Sequence, residues 1–166
     1  QNKQILKEIK KKIKIKSFHG LSIDSRVVKK GNLFLTIKGK KNNGKKFIFN
    51  AFKKGAKAIV SSQKIKNYKN QLIKVPNELK FLNNFAFKKR TYSKAKILAI
   101  TGSSGKTSLK DLIKSLLSNF GNTYCSPKSY NNEFGVPLSL SNLDTSHKFG
   151  VFEVGMSKAG EIDKLS

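Results

Sequence analysis

The most constraining feature of this sequence is a glycine-containing turn that joins an apolar strand to an amphipathic helix. Residues 96–100 form a short apolar run of the kind that parallel sheets bury. The turn over residues 101–107 reads Thr-Gly-Ser-Ser-Gly-Lys-Thr. Apolar residues then recur at intervals of three and four, which predicts one apolar helix face: Leu109, Leu112, Ile113, Leu116 and Leu117. This order predicts an α/β domain with a parallel sheet and right-handed crossovers.

The turn has the residues that a triphosphate-binding loop needs. Glycines let the backbone approach phosphates, and the amides at a helix N-terminus point toward them. Lysine supplies positive charge to the β- and γ-phosphates, and a hydroxyl reaches Mg²⁺. The common motif G-x-x-x-x-G-K-[ST] would place glycine at position 100, where this chain has isoleucine, so its loop is two residues tighter. The expected ligands are ATP and Mg²⁺. The predicted loop residues are Gly102, Ser103, Ser104, Gly105, Lys106 and Thr107.

The rest of the chain is predicted to form short strands and helices with turns between them. Predicted strands cover residues 12–16, 33–37, 58–61, 72–75, 123–126 and 151–154. Predicted helices cover residues 4–13, a segment that ends at Gly55, and a segment that begins near Leu82. We therefore predict a first domain over residues 1–84, a linker over 85–95 and the beginning of a second domain over 96–166.

The charge of the chain is strongly positive. It has 35 lysines and arginines against 9 acidic residues, a formal net charge of +26. Such a charge can indicate nucleic acid. However, only Arg26 and Arg90 are arginine, the side chain best suited to base and phosphate contacts, and the lysines are spread along the whole chain. We expect no nucleic-acid partner, and we expect attraction of phosphate-bearing substrates.

Two further properties concern location. The apolar runs are far shorter than the roughly 18 residues that indicate a membrane span, so we expect no membrane insertion. Cys125 is the only cysteine, which excludes an internal disulfide and fits a reducing, cytoplasmic location.

The tight loop T-G-x-x-G-K-[ST] resembles the phosphate loop of the Mur ligases and of the folylpolyglutamate synthases. Three other stretches resemble the MurF type of Mur ligase. The first comprises residues 23–26, 31–34 and 38–39, the second is Asn-Asn-Glu-Phe-Gly-Val-Pro-Leu at 131–138, and the third comprises 153–156 and 160–162. The resemblance runs from about Gly20 to Ser166, with the motifs in the family's order.

This resemblance implies a function and an architecture. The family uses ATP to phosphorylate the terminal carboxylate of a UDP-linked muramoyl peptide, and an amine then attacks the acyl phosphate. For the MurF type, the substrates are UDP-N-acetylmuramoyl tripeptide and D-alanyl-D-alanine, in peptidoglycan precursor synthesis. The implied fold is a small α/β substrate-binding domain followed by a P-loop ATPase domain that continues beyond Ser166. We expect no ligase activity from this segment alone, and a monomer for the complete protein.

The resemblance also implies roles for individual residues. Lys106 would be catalytic, Thr107 and Glu153 would ligate Mg²⁺, and either Asn131 or Asn132 would lie near the γ-phosphate or the metal. Glu153 could instead simply mark the end of a strand. The implied substrate-binding residues of the first domain are Ser25, Arg26, Lys40 and Asn43.

Three readings of this sequence remain open. For Arg26, a structural ion pair is as good an interpretation as a contact with substrate. We interpret His19, His147 and Cys125 as structural residues. A ligase of the MurE type or a folylpolyglutamate synthase is the first alternative for the whole chain. A basic nucleic-acid-binding P-loop protein is the second, and it predicts binding that weakens steeply as salt rises.

Overall fold

The computed structural model describes residues 17–39, 43–127 and 130–155. The chain forms two compact units, divided between Phe85 and Ala86. The predicted helix at 4–13, the predicted strand at 12–16 and the candidate substrate residue Lys40 lie outside the described residues.

The first unit contains a four-stranded parallel sheet with strand order β1-β2-β3-β4. Its strands are β1 (Gly20–Ser22), β2 (Asn32–Leu35), β3 (Ala58–Ser61) and β4 (Leu72–Lys74). Every residue of β2 and β3 is buried, as expected for parallel strands that are covered on both faces. The predicted strands at 33–37, 58–61 and 72–75 are confirmed in place, although β2 ends at Leu35 and β4 at Lys74. The three-residue strand β1 was not predicted.

A short helix covers one face of this sheet. A 3₁₀ turn (Gly44–Phe47) leads into α1 (Ile48–Lys53), and a second 3₁₀ turn (Lys69–Gln71) precedes β4. The helix ends at Lys53, two residues before Gly55, the glycine that was predicted to terminate it. The positive φ of Gly55, 92°, allows the amides of Gly55 and Ala56 to donate to the Phe52 and Ala51 carbonyls. The core between helix and sheet consists of Val28, Phe34, Ile48, Ala51, Ala56, Ile59 and Ile65.

The helix α2 (Glu78–Tyr92) crosses the division between the two units. Asn77 begins it, because its side-chain oxygen accepts a hydrogen bond of 2.8 Å from the Lys80 amide. In the first unit, Phe85 is buried and its ring centroid lies 5.5 Å from that of Phe18. Residues 85–92, placed in the linker by the sequence pattern, are helical, and the proposed domain boundaries stay a prediction.

The second unit contains a three-stranded parallel sheet with order β5-β7-β6. Its strands are β5 (Lys96–Ile100), β6 (Thr123–Cys125) and β7 (Phe149–Glu153), and its helices are α3 (Lys106–Ser118) and α4 (Gly135–Ser141). Because all three strands are parallel, their carboxyl ends all lie at the same end of the sheet. The strand-turn-helix order predicted around residues 96–118 is confirmed, whereas α4 was not predicted.

One prediction about burial in this unit is wrong. Strand β5 was expected to be buried, but it lies at an edge of the described sheet, and Lys96 and Ala99 are exposed. The amphipathic helix α3 forms as predicted, and three residues of its apolar stripe are exposed, with 58% of the Leu112 surface accessible and Leu109 and Leu116 similar. Lys110, in contrast, is buried. The covered side of α3 therefore includes Lys110 and only two members of the apolar stripe, Ile113 and Leu117, which are partly buried.

None of the helices in the described part of the chain is long and apolar enough to cross a membrane.

Candidate nucleotide and metal site

The candidate phosphate loop connects β5 to α3 and lies at the carboxyl ends of the strands of the second sheet. Gly102 and Gly105 both have positive φ angles, 147° and 74°, which are strained for residues with a side chain. Gly105 also begins α3, since its carbonyl accepts a hydrogen bond of 2.9 Å from the Leu109 amide. The two glycines therefore give the loop the tight path that the sequence predicts.

Lys106 turns back over this loop. Its Nζ donates to the carbonyl of Gly102 at 2.5 Å and to that of Ser103 at 3.4 Å. The first turn of α3 contains no acidic side chain of its own, and the N-terminus of a helix carries partial positive charge. The ammonium and the helix N-terminus together form a place that favours an anion.

Glu153 lies beside this loop, at the end of the neighbouring strand β7. Its side chain is buried, with the residue only 4% exposed. Oε2 accepts a hydrogen bond of 2.9 Å from Thr107 Oγ1 and lies 3.5 Å from Lys110 Nζ. Oε1 accepts a hydrogen bond of 2.9 Å from Asn131 Nδ2. Thr107 and Glu153, whose metal-binding roles the resemblance implies, thus meet one of the two candidate asparagines, Asn131, at one point.

The surroundings of Glu153 favour its ionised form. Burial by itself raises the pKa of this carboxyl group. The hydrogen bonds from Asn131 and Thr107 and the charge of Lys110 act in the opposite direction, and the resulting pKa lies below the ordinary value. Glu153 is therefore a carboxylate at neutral pH.

The structure separates the two asparagines that the sequence could not distinguish. Asn131 contacts Glu153 with its side chain, and its carbonyl accepts a hydrogen bond of 2.6 Å from the Gly155 amide. The Asn132 side-chain oxygen accepts hydrogen bonds from the amides of Phe134 and Gly135 at the start of α4. The geometry therefore favours Asn131 as the residue at the site, with Asn132 organising the following helix.

The donor atoms at this point suit a hard cation. Thr107 offers a hydroxyl and Glu153 a carboxylate, the oxygen types that Mg²⁺ prefers. Over residues 17–39, 43–127 and 130–155 there is no group of three or more His, Cys, Asp or Glu side chains that could hold a metal. One carboxylate with one hydroxyl fits Mg²⁺ that is shared with nucleotide phosphates, rather than Mg²⁺ held by an all-protein cage.

The candidate substrate residues of the first unit follow the carboxyl ends of its strands. Ser25 is buried after β1. Asn43 lies after β2, where its side-chain oxygen accepts from the Lys45 amide and its amide exchanges hydrogen bonds with the side chain of Gln63. Arg26 forms an exposed ion pair of 2.7 Å with Asp24, which agrees with the structural interpretation. Contacts of these residues with substrate stay predictions.

The sequence patterns missed two buried polar features. The sequence patterns do not distinguish Lys110 from the other lysines spread along the chain, although its position three residues after Thr107 places both residues on one side of a helix. In the first unit, the Thr36 hydroxyl donates to Ser61 Oγ at 2.6 Å, and Glu78 Oε1 accepts from the Ser62 amide at 2.6 Å. No motif marks that second cluster, because its residues come from three distant segments of the chain.

The histidines and the cysteine have the surroundings of structural residues. The ring of His19 packs against Gly31, and His147 Nδ1 accepts a hydrogen bond of 2.9 Å from the Asp144 amide. Burial raises the pKa of the Cys125 thiol, which disfavours the reactive thiolate.

Comparison with protein families assigns both units to one family. Residues 17–90 match the model described as "Mur ligase family, catalytic domain", and residues 100–166 match "Mur ligase middle domain". The chain belongs to the Mur ligase family.

Curated relatives of this Mur ligase chain are named UDP-N-acetylmuramoyl-tripeptide–D-alanyl-D-alanine ligase. The protein of Buchnera aphidicola subsp. Acyrthosiphon pisum is 43% identical over 140 residues, which cover 84% of this chain and 30% of that protein. The protein of Rickettsia prowazekii is 38% identical over 146 residues, covering 87% of this chain and 32% of that protein. The chain thus spans about a third of the length of these relatives.

Solved MurF structures share the fold of this Mur ligase chain. The MurF ligase of Thermotoga maritima, solved in complex with ADP, matches with a TM-score of 0.69 and 31% identity, covering 87% of this chain and 34% of that one. A crystal structure of MurF from Acinetobacter baumannii matches with a TM-score of 0.77 and 28% identity, covering 96% of this chain and 36% of that one. The predicted α/β fold and the resemblance to the MurF type are confirmed.

The candidate site gives a prediction about Gly155. A Cβ added there would lie 2.7 Å from the carbonyl oxygen of Asn131, which is closer than van der Waals contact allows. Gly155→Ala should displace Asn131 from Glu153 and destabilise the second unit by about 1–3 kcal/mol, the usual cost of overpacking. Denaturant unfolding measures this change. The exposed Glu133→Ala is the control and should stay within about 0.5 kcal/mol; equal stabilities for the two variants would contradict the prediction.

Proposed function

We propose that this chain is the substrate- and nucleotide-binding part of an ATP-dependent ligase. The complete enzyme adds D-alanyl-D-alanine to UDP-N-acetylmuramoyl tripeptide in the cytoplasmic synthesis of peptidoglycan precursors. The observation that carries the proposal is the convergence of Thr107, Asn131 and Glu153 beside a phosphate loop. The names of the relatives support the choice of substrates.

The proposed reaction explains why a carboxylate substrate needs a nucleotide site. A carboxylate is a poor electrophile, since its leaving group would be an oxide. Transfer of the γ-phosphoryl group from ATP to the tripeptide carboxylate gives an acyl phosphate and ADP. The amino group of D-alanyl-D-alanine then attacks the acyl carbon, phosphate leaves, and an amide and a proton are produced. Most of the catalysis is positioning and charge stabilisation.

Residues of the second unit would position the nucleotide. The backbone of residues 102–105 would surround the phosphates, and the Lys106 ammonium would move from the loop carbonyls to the β- and γ-phosphates. Thr107 and Glu153 would hold Mg²⁺, and Asn131 would keep the carboxylate of Glu153 in place. When bound, Mg²⁺ supplies positive charge that neutralises the phosphate oxygens during transfer.

Residues of the first unit would hold the UDP-linked substrate. Ligands of open parallel sheets bind outside the carboxyl ends of the strands, which is where Ser25 and Asn43 lie. We keep Arg26 and Lys40 as candidate contacts to the diphosphate. The net charge of +26 should speed the approach of such an anion, an effect that weakens with salt.

Calorimetric titration of the chain tests this proposal. The ligands are UDP-N-acetylmuramoyl tripeptide, UDP alone, ADP with Mg²⁺, and a single-stranded oligonucleotide, all at physiological salt. Saturable binding of the muramoyl ligand in preference to UDP, together with binding of Mg·ADP, is the expected result.

Two other outcomes would count against the proposal. Binding of the oligonucleotide alone, with an affinity that falls steeply as salt rises, would favour a nucleic-acid-binding protein. Preference for a muramoyl dipeptide or a folate over the tripeptide would instead favour a MurE-type ligase or a folylpolyglutamate synthase. That result would contradict the proposed substrate but not the proposed nucleotide site.

A further inference from the structure

Lys110 is a buried lysine whose charge is directed at the candidate metal ligand. Only 1% of its surface is exposed, and its Nζ lies 3.5 Å from Glu153 Oε2. Lysine is rarely buried to this extent unless its ammonium group is paired. None of the sequence motifs or family resemblances described above assigns it a role.

The position of Lys110 makes it part of the support for the Glu153 carboxylate. It lies three residues after Thr107 on α3, so both side chains reach the same oxygen, Oε2, from one helix. Asn131 contacts the other oxygen, Oε1. Thr107 is partly exposed beside the phosphate loop, whereas Lys110 is buried. Glu153 Oε2 is therefore contacted by Lys110 from the buried side and by Thr107 from the partly exposed side.

Stability alone does not account for this pair. Removing two charges from water costs about as much as their attraction returns, and well-packed apolar residues at such places are often as stable or more stable. What the pair provides is a defined position for the carboxylate, because an ammonium, a hydroxyl and an amide together leave Glu153 little freedom to rotate. Outer groups that orient a ligand in this way strengthen metal binding.

We infer that Lys110 is a positioning residue for the magnesium-nucleotide site, and that it acts by holding the Glu153 carboxylate against Thr107. This inference rests on the proposed nucleotide-binding function. It predicts that Lys110 matters for the Mg²⁺-dependent part of nucleotide binding and has little effect on the part that the phosphate loop provides without metal.

Titration of the chain with ADP, once with Mg²⁺ and once with EDTA, tests the role of Lys110. Lys110→Met keeps an unbranched side chain that is only one atom shorter and removes its charge. It should weaken Mg·ADP binding by about tenfold or more, the effect seen when groups that orient metal ligands are removed. Binding in EDTA should be unchanged. Equal weakening under both conditions would show a general structural role, and tighter Mg·ADP binding would show that Lys110 only repels the metal; either result overturns the inference.

A double-mutant cycle tests whether Lys110 acts through Glu153. If it does, Lys110→Met should have no further effect on Mg²⁺ dependence in a Glu153→Gln background. An undiminished further loss would overturn the inference. If Lys110→Met does not fold, the double variant can still be compared with Glu153→Gln, because it contains neither charge of the pair. Lys110→Arg keeps the charge and should retain the Mg²⁺ dependence of ADP binding.

The same titrations separate this inference from the proposed function. If the unmodified chain binds ADP neither with Mg²⁺ nor with EDTA, the proposed nucleotide site fails. If the unmodified chain binds Mg·ADP and Lys110→Met binds it equally well, only the role of Lys110 fails.

Discussion

Lys106→Met should weaken binding of Mg²⁺ and a non-hydrolysable ATP analogue roughly 100-fold. The ammonium of Lys106 lies over the loop at the N-terminus of α3, within reach of the phosphates that the loop would surround. Hydrogen bonds to charged groups contribute about 1.5–3 kcal/mol each, and Lys106 would contact two phosphates. A loss of about 3 kcal/mol corresponds to the stated factor. Calorimetric titration measures it directly.

The matched control for this variant is Lys114→Met. Lys114 lies on the same helix and is exposed, so its replacement removes one surface charge and no proposed ligand contact. Its effect should stay within about 1 kcal/mol, the upper range for an exposed charge pair. Equal losses from the two variants would mean that overall charge, rather than the loop, attracts the nucleotide. Thermal unfolding of both variants checks that neither has lost its fold.

The strand-turn-helix arrangement that contains the candidate phosphate loop could be predicted from the sequence because its information is local. Residues 96–118 contain an apolar strand, two glycines at positions with positive φ and a regular helix, and each feature constrains only its neighbours. The end of α1 near Gly55 was predictable for the same reason, since a left-handed residue after a helix strongly favours glycine.

The burial of α3 could not be predicted in the same way. Periodicity shows which side chains share a helix face, but contacts with distant segments decide which face is covered. Lys110 is buried because Glu153, 43 residues later, supplies the opposite charge. Leu112 is exposed although it belongs to the apolar stripe. A pattern that treats every lysine as polar surface cannot find such an ion pair.

The two elements that were missed, β1 and α4, are short and have weak local signals. Strand β1 has only three residues, and it is defined by its parallel pairing with β2. Helix α4 has seven residues that include a glycine, a proline and two serines, which are poor helix formers. Its start depends on Asn132, whose side chain accepts hydrogen bonds from two backbone amides, and that contact also distinguishes Asn132 from Asn131.

Phe34→Ala should destabilise the first unit by about 3–5 kcal/mol, the usual cost of removing a fully buried phenylalanine. Phe34 lies on β2, is 0% exposed and packs in the core between α1 and the sheet. Such a loss is a large part of the roughly 5–15 kcal/mol that stabilises a typical domain. Hydrogen–deuterium exchange of peptides from β2 and β3 should become much faster, and binding of the UDP-linked substrate should weaken because Ser25 and Asn43 follow strands of this sheet.

Phe49→Ala is the control for this core substitution, because it removes the same side chain from the same unit. Phe49 is 69% exposed on α1, so its loss should change stability by no more than about 0.5 kcal/mol. The comparison also tests the division of the chain, since peptides from β5 and β7 should keep their exchange rates in Phe34→Ala if the second unit is stable by itself. Faster exchange throughout the chain would show instead that the two units unfold together.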